Sequence, residues 1–482
     1  MNKTIRRVSV FTLLLVLALL VRVSWVQFYE SKALADDKHN RRNAIEQYAY
    51  PLGNIIVGGD SITGSARTKG GDLAYKRTYK SGSLYSAVTG YSSQVYGATQ
   101  LEGIYKDILD GTDTRLKNPL DVLTNKRADP GDVVTTIDPA VQKAGYKALG
   151  DTKGAAVAID PKTGRILGMV STPSYDPSKI SGSTDGDAWK KLQADKEKPM
   201  VNRALRQPLP PGSTFKLVVA AAALEDGLYG SVDAKTNSPN PYRMPGTVTD
   251  LRNENPSAPC ENADIRTALQ YSCNNVFGKM AVDLGQDKVK SMAEKMGFNA
   301  DKLDIPVRAG ESVYPSKMNK SQTALSGIGQ FDVTATPLQM SMVSAAIANG
   351  GELAKPHMVS QVTDSSGNEL QKFGDGDSQR VMSESTAEGL QSAMQTVVEK
   401  GTGTNAKISG ATVGGKTGTA QHGENNSKTP YAWFTSYAKG SDGKEVAVAV
   451  MIEDSGAARA EVSGNGLAAP IAKAMMQAAL KG

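Results

Sequence analysis

Pro210-Pro211-Gly212-Ser213-Thr214-Phe215-Lys216-Leu217-Val218-Val219-Ala220-Ala221-Ala222-Ala223-Leu224 is the segment from which the fold of this 482-residue chain is read. The two prolines and the glycine forbid a helix before Ser213. The run that follows is apolar on every side until Glu225-Asp226-Gly227 ends it. Such a run predicts a helix buried all round, with Ser213 in its first turn. Free backbone N–H groups and the positive dipole end favour a developing anion there. Ser213 and Lys216 are three residues apart and share a helix face. A buried lysine is costly unless it is paired or neutral, and desolvation lowers its pKa, as a general base requires. The plain alternative is an N-capping serine followed by a lysine that reaches back to solvent.

Two further motifs complete a set. Ser272-Cys273-Asn274 lies between segments of helical character at 265–270 and 276–282. A short loop between two helices can point a hydroxyl and an amide into a cleft; an N-cap is an equally good reading. Lys416-Thr417-Gly418-Thr419 follows Val413-Gly414-Gly415, and a later strand at 432–437 can pair with it. Glycines at 414, 415 and 418 suit close approach of a ligand or backbone, though a Gly-rich hairpin without a site reads the same way.

Several segments copy these spacings. Ser436-Tyr437-Ala438-Lys439 and Ser441-Asp442-Gly443-Lys444 are assigned to a polar turn over 437–444. Ser366-Gly367-Asn368 reads as a turn, and Ser463-Gly464-Asn465 also has the S-x-N form. Lys162-Thr163-Gly164 is turn chemistry between apolar runs at 155–159 and 166–170, hence a hairpin tip.

In this order, the motifs at 213, 272 and 416 resemble those of the penicillin-recognising serine acyltransferases. The resemblance covers nearly the whole chain. The hairpin of 154–170 resembles the opening of a transpeptidase domain, and Asn202-Arg203-Ala204, Gly327-Ile328-Gly329-Gln330 and Thr336-Pro337-Leu338-Gln339-Met340 resemble further parts of it. Thr78-Tyr79-Lys80-Ser81-Gly82 and the segment from Gly97 to Tyr105 resemble the N-terminal pedestal of class B penicillin-binding proteins, of the actinobacterial penicillin-binding protein A type. One departure is visible: Pro51-Leu52-Gly53-Asn54 stands where the pedestal's Arg-Gly start is expected.

The resemblance implies an α+β fold. A β-lactamase-like transpeptidase domain, an antiparallel sheet covered by helices plus a helical subdomain, follows a pedestal and one transmembrane helix. It implies a serine D,D-transpeptidase that cross-links peptidoglycan stem peptides ending in D-Ala-D-Ala and is inhibited by β-lactams. By the same carry-over Ser213 is the nucleophile, Lys216 its base, and Ser272 with Lys416 the proton relay. Asn274, Thr417, Gly418 and Thr419 would bind substrate, with backbone N–H groups of Ser213 and Thr419 as the oxyanion hole. A D,D-carboxypeptidase with water as acceptor and a non-catalytic divisome scaffold are retained as alternatives. A β-lactamase is disfavoured by the anchor and pedestal.

Length and composition agree with two or three domains. Hydrophobic residues make up 39% and charged residues 22%, which is globular, and the net charge of +6 is a mild excess. No aromatic-basic cluster points to nucleic acid. His39, His357 and His422 are far apart, so no metal site, and no cofactor, is expected. Lys3, Arg6 and Arg7 precede an uncharged run at 8–21 that Arg22 interrupts. With Arg22 snorkelling and Trp25 and Tyr29 at the interface, the span reaches a bilayer's width with its start in the cytoplasm. The rival is a cleaved leader ending at Ala33-Leu34-Ala35. Either reading exports the remainder, with a glycosyltransferase or divisome component as candidate partner. Cys260 and Cys273 are the only cysteines. In an oxidising compartment they read either as a disulfide pinning the 255–259 loop beside the site or as two separate buried thiols.

The expected organisation is a cytoplasmic stub at 1–7, an anchor at 8–29, a polar linker at 30–46, a pedestal at 47–150 and the catalytic domain at 154–482. Within the pedestal, 133–137 reads as a strand, Asp138 as a cap and Pro139 as the start of a helix through Leu149. Segments 176–199 and 231–259 read as loops or arms, and 467–480 as the final helix.

Overall fold

The computed structural model describes residues 3–30, 41–117, 127–374 and 376–481. Its organising element is a five-stranded antiparallel sheet. The strand order is Ala411–Ala420, Tyr431–Gly440, Glu445–Asp454, Lys153–Ile159 and Ile166–Thr172. Period-two alternation explains how one sheet serves two cores. Val446, Val448, Val450 and Ile452 enter one apolar cluster, while Ala449 and Met451 enter the other. Helices Pro139–Leu149 and Ala469–Lys481 cover the first face with Val141, Leu149, Ile471 and Met475. On the second face lies Pro337–Ala348, whose Met340 carbonyl accepts a hydrogen bond from Thr435 Oγ1 at 2.8 Å. Helix Lys216–Glu225 has eight of its ten residues buried, so the apolar run between its charged ends has no solvent side, as the uniform pattern requires.

The sheet places the Lys416 strand at an edge, and a helical subdomain faces that edge through Ile265–Tyr271 and Asn274–Leu284. Lys416 Nζ bridges the two by donating to Ser272 Oγ at 3.0 Å.

A second sheet builds the pedestal, and it is not made from contiguous sequence. Ile55–Val57 pairs in parallel with Asp132–Thr135, which pairs in turn with Val359–Thr363; Glu369–Lys372 forms one edge and Asp60–Ser61 the other. Conversely, helix Pro139–Leu149 packs on the catalytic sheet. Its caps were legible: Asp138 accepts from Ala140 N and Val141 N, and Pro139 opens the helix. Strand Val359–Thr363 thus joins a sheet formed with Asp132–Thr135, while helix Pro139–Leu149 packs on the sheet that holds Lys153–Ile159.

Beside Pro51-Leu52-Gly53-Asn54 lies Arg77. Its guanidinium is buried, donating from Nε to Glu102 at 2.7 Å and from Nη1 to the Gly53 carbonyl at 2.6 Å. Cutting such a buried pair from one side leaves a charge without a partner. Arg77→Met is expected to lower stability by about 3–5 kcal/mol in urea unfolding, whereas Arg77→Met with Glu102→Leu recovers most of the loss.

Three expectations are corrected. Residues 41–46, assigned to the polar linker, lie in a short helix, Arg41–Gln47. The 176–199 arm carries helix Gly186–Ala194, and Trp189 stacks on Tyr96 with ring centroids 4.2 Å apart. Burying that aromatic surface holds the segment down despite its polar composition. Ser436 is not in a turn: it lies in strand Tyr431–Gly440, buried, and its Oγ donates to Val448 O at 3.1 Å. The hydrophobic Tyr437 and Ala438 carry the strand on to Gly440, and only Ser441 to Lys444 form the turn. At the other end, Lys3–Glu30 is a continuous helical span, long and apolar enough to cross a membrane, with no buried residue. Ala33-Leu34-Ala35 lies outside the described residues.

Candidate active site

Ser213 sits in a tight 3-10 turn, Gly212–Phe215, that leads directly into helix Lys216–Glu225. The turn is set by its neighbours. Gly212 has φ 54, and its N–H donates to Gly329 O at 3.1 Å. Gly329 has φ 68, and a Cβ there would lie 2.1 Å from Gly212 O. Both glycines are thus required, by conformation and by contact. The Lys416 strand closes on the same turn. A Cβ on Gly418 would lie 2.8 Å from Pro211 O, and one on Gly212 would lie 3.2 Å from Thr419 O. The glycine of the K-T-G motif is therefore the place where the strand and the Ser213 turn touch.

Ser272 is the residue on which the two lysines converge. Lys216 Nζ donates to Ser272 O at 2.7 Å and Asn274 Oδ1 at 2.7 Å, and lies 3.2 Å from Ser272 Oγ. Lys416 Nζ donates to Ser272 Oγ at 3.0 Å and to Thr417 O at 2.9 Å. The Ser213 hydroxyl takes part in none of these bonds. Ser272 is not an N-cap: it ends helix Ile265–Tyr271 in the left-handed conformation, φ 59, and Cys273 precedes the next helix. A non-glycine residue held there carries backbone strain that its surroundings must support. Cys273 supplies part of that support through a disulfide to Cys260, with Cα atoms 5.6 Å apart. The bridge alternative is thus the one realised.

Both lysine side chains are fully buried. Desolvation, and then the neighbouring Lys416 charge, hold the Lys216 amine well below the usual lysine range. Desolvation brings Lys416 down to about 7, partly opposed by Glu254. A neutral Lys216 has two N–H donors, and two carbonyl oxygens at 2.7 Å take both. Its lone pair is left to receive a proton from a hydroxyl.

The signs of the pH effects follow. With neutral Lys216 as the proposed base, acylation by penicillin should rise with pH as its proton leaves. It should level off well before the ordinary lysine pKa of about 10.4. The fold should gain stability between pH 7 and about 10.4, because there the unfolded chain binds the proton that folded Lys416 has lost. Stopped-flow acylation and urea titrations across that range check both.

Other candidates fall in place around this centre. Thr417 Oγ1 meets Thr402 Oγ1 at 2.8 Å. Asn274 Nδ2 donates to Arg252 O at 2.9 Å, and Asn274 N to Asn253 Oδ1 at 2.6 Å. The 231–259 arm therefore lines the cleft, as expected. Sequence reasoning missed Asn253, Asn275, Glu254 and Thr402. Buried Asn275 donates through Nδ2 to Ser238 O, Pro239 O and Cys260 O, and so ties the arm to the helix start. Its position directly after the S-x-N motif was the one available signal.

Lys162-Thr163-Gly164 is a hairpin tip, with Asp160 Oδ1 accepting from Lys162 N and Thr163 N. Ser366-Gly367-Asn368 is likewise a turn.

A serine on a helix start, two buried lysines and a K-T-G edge strand define an active-site serine acyltransferase. The family described as penicillin binding protein transpeptidase domain matches residues 154–477, and the penicillin binding protein A dimerisation domain matches residues 52–133. The chain belongs to the penicillin-binding proteins of class B, and it is a serine-type D,D-transpeptidase. Peptidoglycan D,D-transpeptidase PbpA of Mycolicibacterium smegmatis is 35% identical over 100% of this chain and 99% of its own. The protein of the same name from Mycobacterium tuberculosis is 34% identical over 100% of both chains. The ceftriaxone acyl-enzyme of M. tuberculosis penicillin-binding protein A superposes with a TM-score of 0.84 at 33% identity, covering 90% of this chain and 100% of that one. Its penicillin G acyl-enzyme superposes with a TM-score of 0.81 at 34% identity, over 89% and 99%.

Proposed function

We propose that Ser213 attacks the penultimate D-Ala carbonyl of a peptidoglycan stem peptide. The observation that carries this reading is the convergence of both buried lysines on Ser272, beside the Ser213 turn. Lys216 takes the Ser213 proton. Backbone N–H groups of Ser213 and Thr419 receive the oxyanion, and the first-turn position leaves the Ser213 N–H without an intrahelical partner. Ser272, bonded to Lys416, passes a proton to the departing D-Ala. Asn274 binds the donor amide, and Thr417 and Thr419 hold its terminal carboxylate across the close approach at Gly418. An amine of a neighbouring stem then releases the acyl group as a cross-link. β-Lactams present the same carbonyl, and the relatives trapped as ceftriaxone and penicillin G acyl-enzymes support this.

The same reading assigns 1–7 to the cytoplasm, 8–29 to the membrane, 47–150 to the pedestal and 154–482 to the outward-facing catalytic domain. Basic Lys3, Arg6 and Arg7 support the orientation. A glycosyltransferase or divisome component on the pedestal side is part of the proposal. Product analysis with a stem-peptide donor and an added amine acceptor tests the reaction. Transpeptidation yields the new amide; release of tetrapeptide alone would assign a D,D-carboxypeptidase instead.

A further inference from the structure

We infer that Gln330 is a positioning residue for the reaction: its side-chain amide grips the strand end that carries Thr419, and so sets one N–H of the oxyanion hole against the other, on Ser213. On the transpeptidase reading, on which this rests, the oxyanion sits between those two N–H groups.

Two adjacent residues each hold one half of that pair. Gly329 O accepts from Gly212 N at 3.1 Å and so holds the Ser213 turn. Gln330, the next residue, reaches the other way. In the amide orientation that satisfies both partners, its Nε2 donates to Gln421 O at 3.1 Å and its Oε1 accepts from Gln421 N at 3.1 Å. Gln421 directly follows strand Ala411–Ala420 and lies two residues past Thr419. The grip has a firm base: Gln330 N donates to Leu325 O at 3.1 Å, which ties the residue to helix Lys320–Ser326.

Strand geometry carries the grip back to Thr419. The strand lies at the edge of its sheet, so one row of its peptide groups meets no neighbouring strand. Along an antiparallel strand, the N–H and C=O groups that face one side recur every second residue. The pairing with Tyr431–Gly440 runs without a register shift as far as Ala420. A Cβ on Gly212 would lie 3.2 Å from Thr419 O, so Thr419 presents its peptide groups to the Ser213 turn. Gln421, two residues on, presents its own to the same side, where the Gln330 amide takes the place of a neighbouring strand's peptide. The backbone beyond Gln330 is strained. Phe331 and Asp332 are both left-handed, with φ 51 and φ 53. Such conformations are costly without glycine and gather where geometry serves a function.

The test uses the full chain in detergent and penicillin isotope-labelled at its lactam carbonyl. Gln330→Met removes both bonds at similar volume, and Gln330→Asn keeps an amide that is one methylene too short. Rapid-mixing kinetics separate penicillin binding from acylation. Isotope-edited infrared spectra of the acyl-enzymes report how strongly the hole polarises the ester carbonyl. Each variant should acylate about 10- to 100-fold more slowly, with the preceding binding step unchanged. Its carbonyl band should move to higher wavenumber, because two donors no longer converge on the oxygen. Arg77→Met, which weakens the pedestal instead, should leave the band in place. If Gln330→Met does not unfold cooperatively, Gln330→Asn decides. An unmoved band in a cooperatively folded Gln330 variant would make the residue merely structural and overturn the inference. Acylation at the parental rate, or a loss confined to binding, would overturn it equally. If the parent forms no Ser213 adduct, the transpeptidase reading has failed and the inference falls with it; in every other outcome the adduct is present and Gln330 alone is judged.

Discussion

Lys216→Met is expected to slow penicillin acylation by about 100- to 10,000-fold while the protein stays folded. The substitution keeps volume in a helix where the side chain is fully buried, and it removes an amine that burial penalises. Two acceptors, Ser272 O and Asn274 Oδ1, lose their donor, which costs about 1–3 kcal/mol each at most. Set against that, the lone pair proposed to receive the Ser213 proton is gone, and no other amine takes its place. Lys416 Nζ is committed to Ser272 Oγ and Thr417 O. The slowing should therefore appear in the acylation step and persist across pH, flattening the rise seen for the parent. A variant that acylates at the parental rate would transfer the base role to another group.

Gly329→Ala should remove about 2–4 kcal/mol of stability and also impair acylation, although residue 329 is not assigned a chemical role. Its Cβ would lie 2.1 Å from Gly212 O and 2.8 Å from Gly212 N. These are backbone atoms of the turn that carries Ser213, so no flexible side chain can yield. The positive φ of 68 adds strain for any residue with a Cβ. The turn must shift, and with it the hydroxyl. Unfolding curves and acylation rates on the same preparation separate the two losses. Unchanged acylation would mean that the turn is not held by the 327–330 segment.

The parts of this site that were legible in sequence are the parts that local chemistry dictates. Ser213 and Lys216 share one helical turn, the Lys416 strand is announced by its glycines, and Asp138-Pro139 caps and opens its helix as such pairs do. Spatial convergence was not legible. Asn253 reaches Asn274 and Asn275 across an irregular arm, Arg77 finds Glu102 and Gly53, and Val359–Thr363 crosses more than two hundred residues to pair with Asp132–Thr135. Such partnerships leave no period or cap behind. Ser436 shows the reverse error: a spacing and a polar neighbourhood suggested a turn, but the strand's buried face decides where the strand ends. The cysteines were left open between bridge and thiols because only their 5.6 Å Cα separation distinguishes them.

The central claim is that one hydroxyl, on Ser213, becomes covalently acylated. Intact-mass analysis of the folded chain after incubation with labelled penicillin, followed by peptide mapping, tests it most directly. The account predicts a single long-lived adduct on the peptide carrying Ser213, absent from Ser213→Ala. An adduct on Ser272 or any other side chain, or none on cooperatively folded protein, would contradict it.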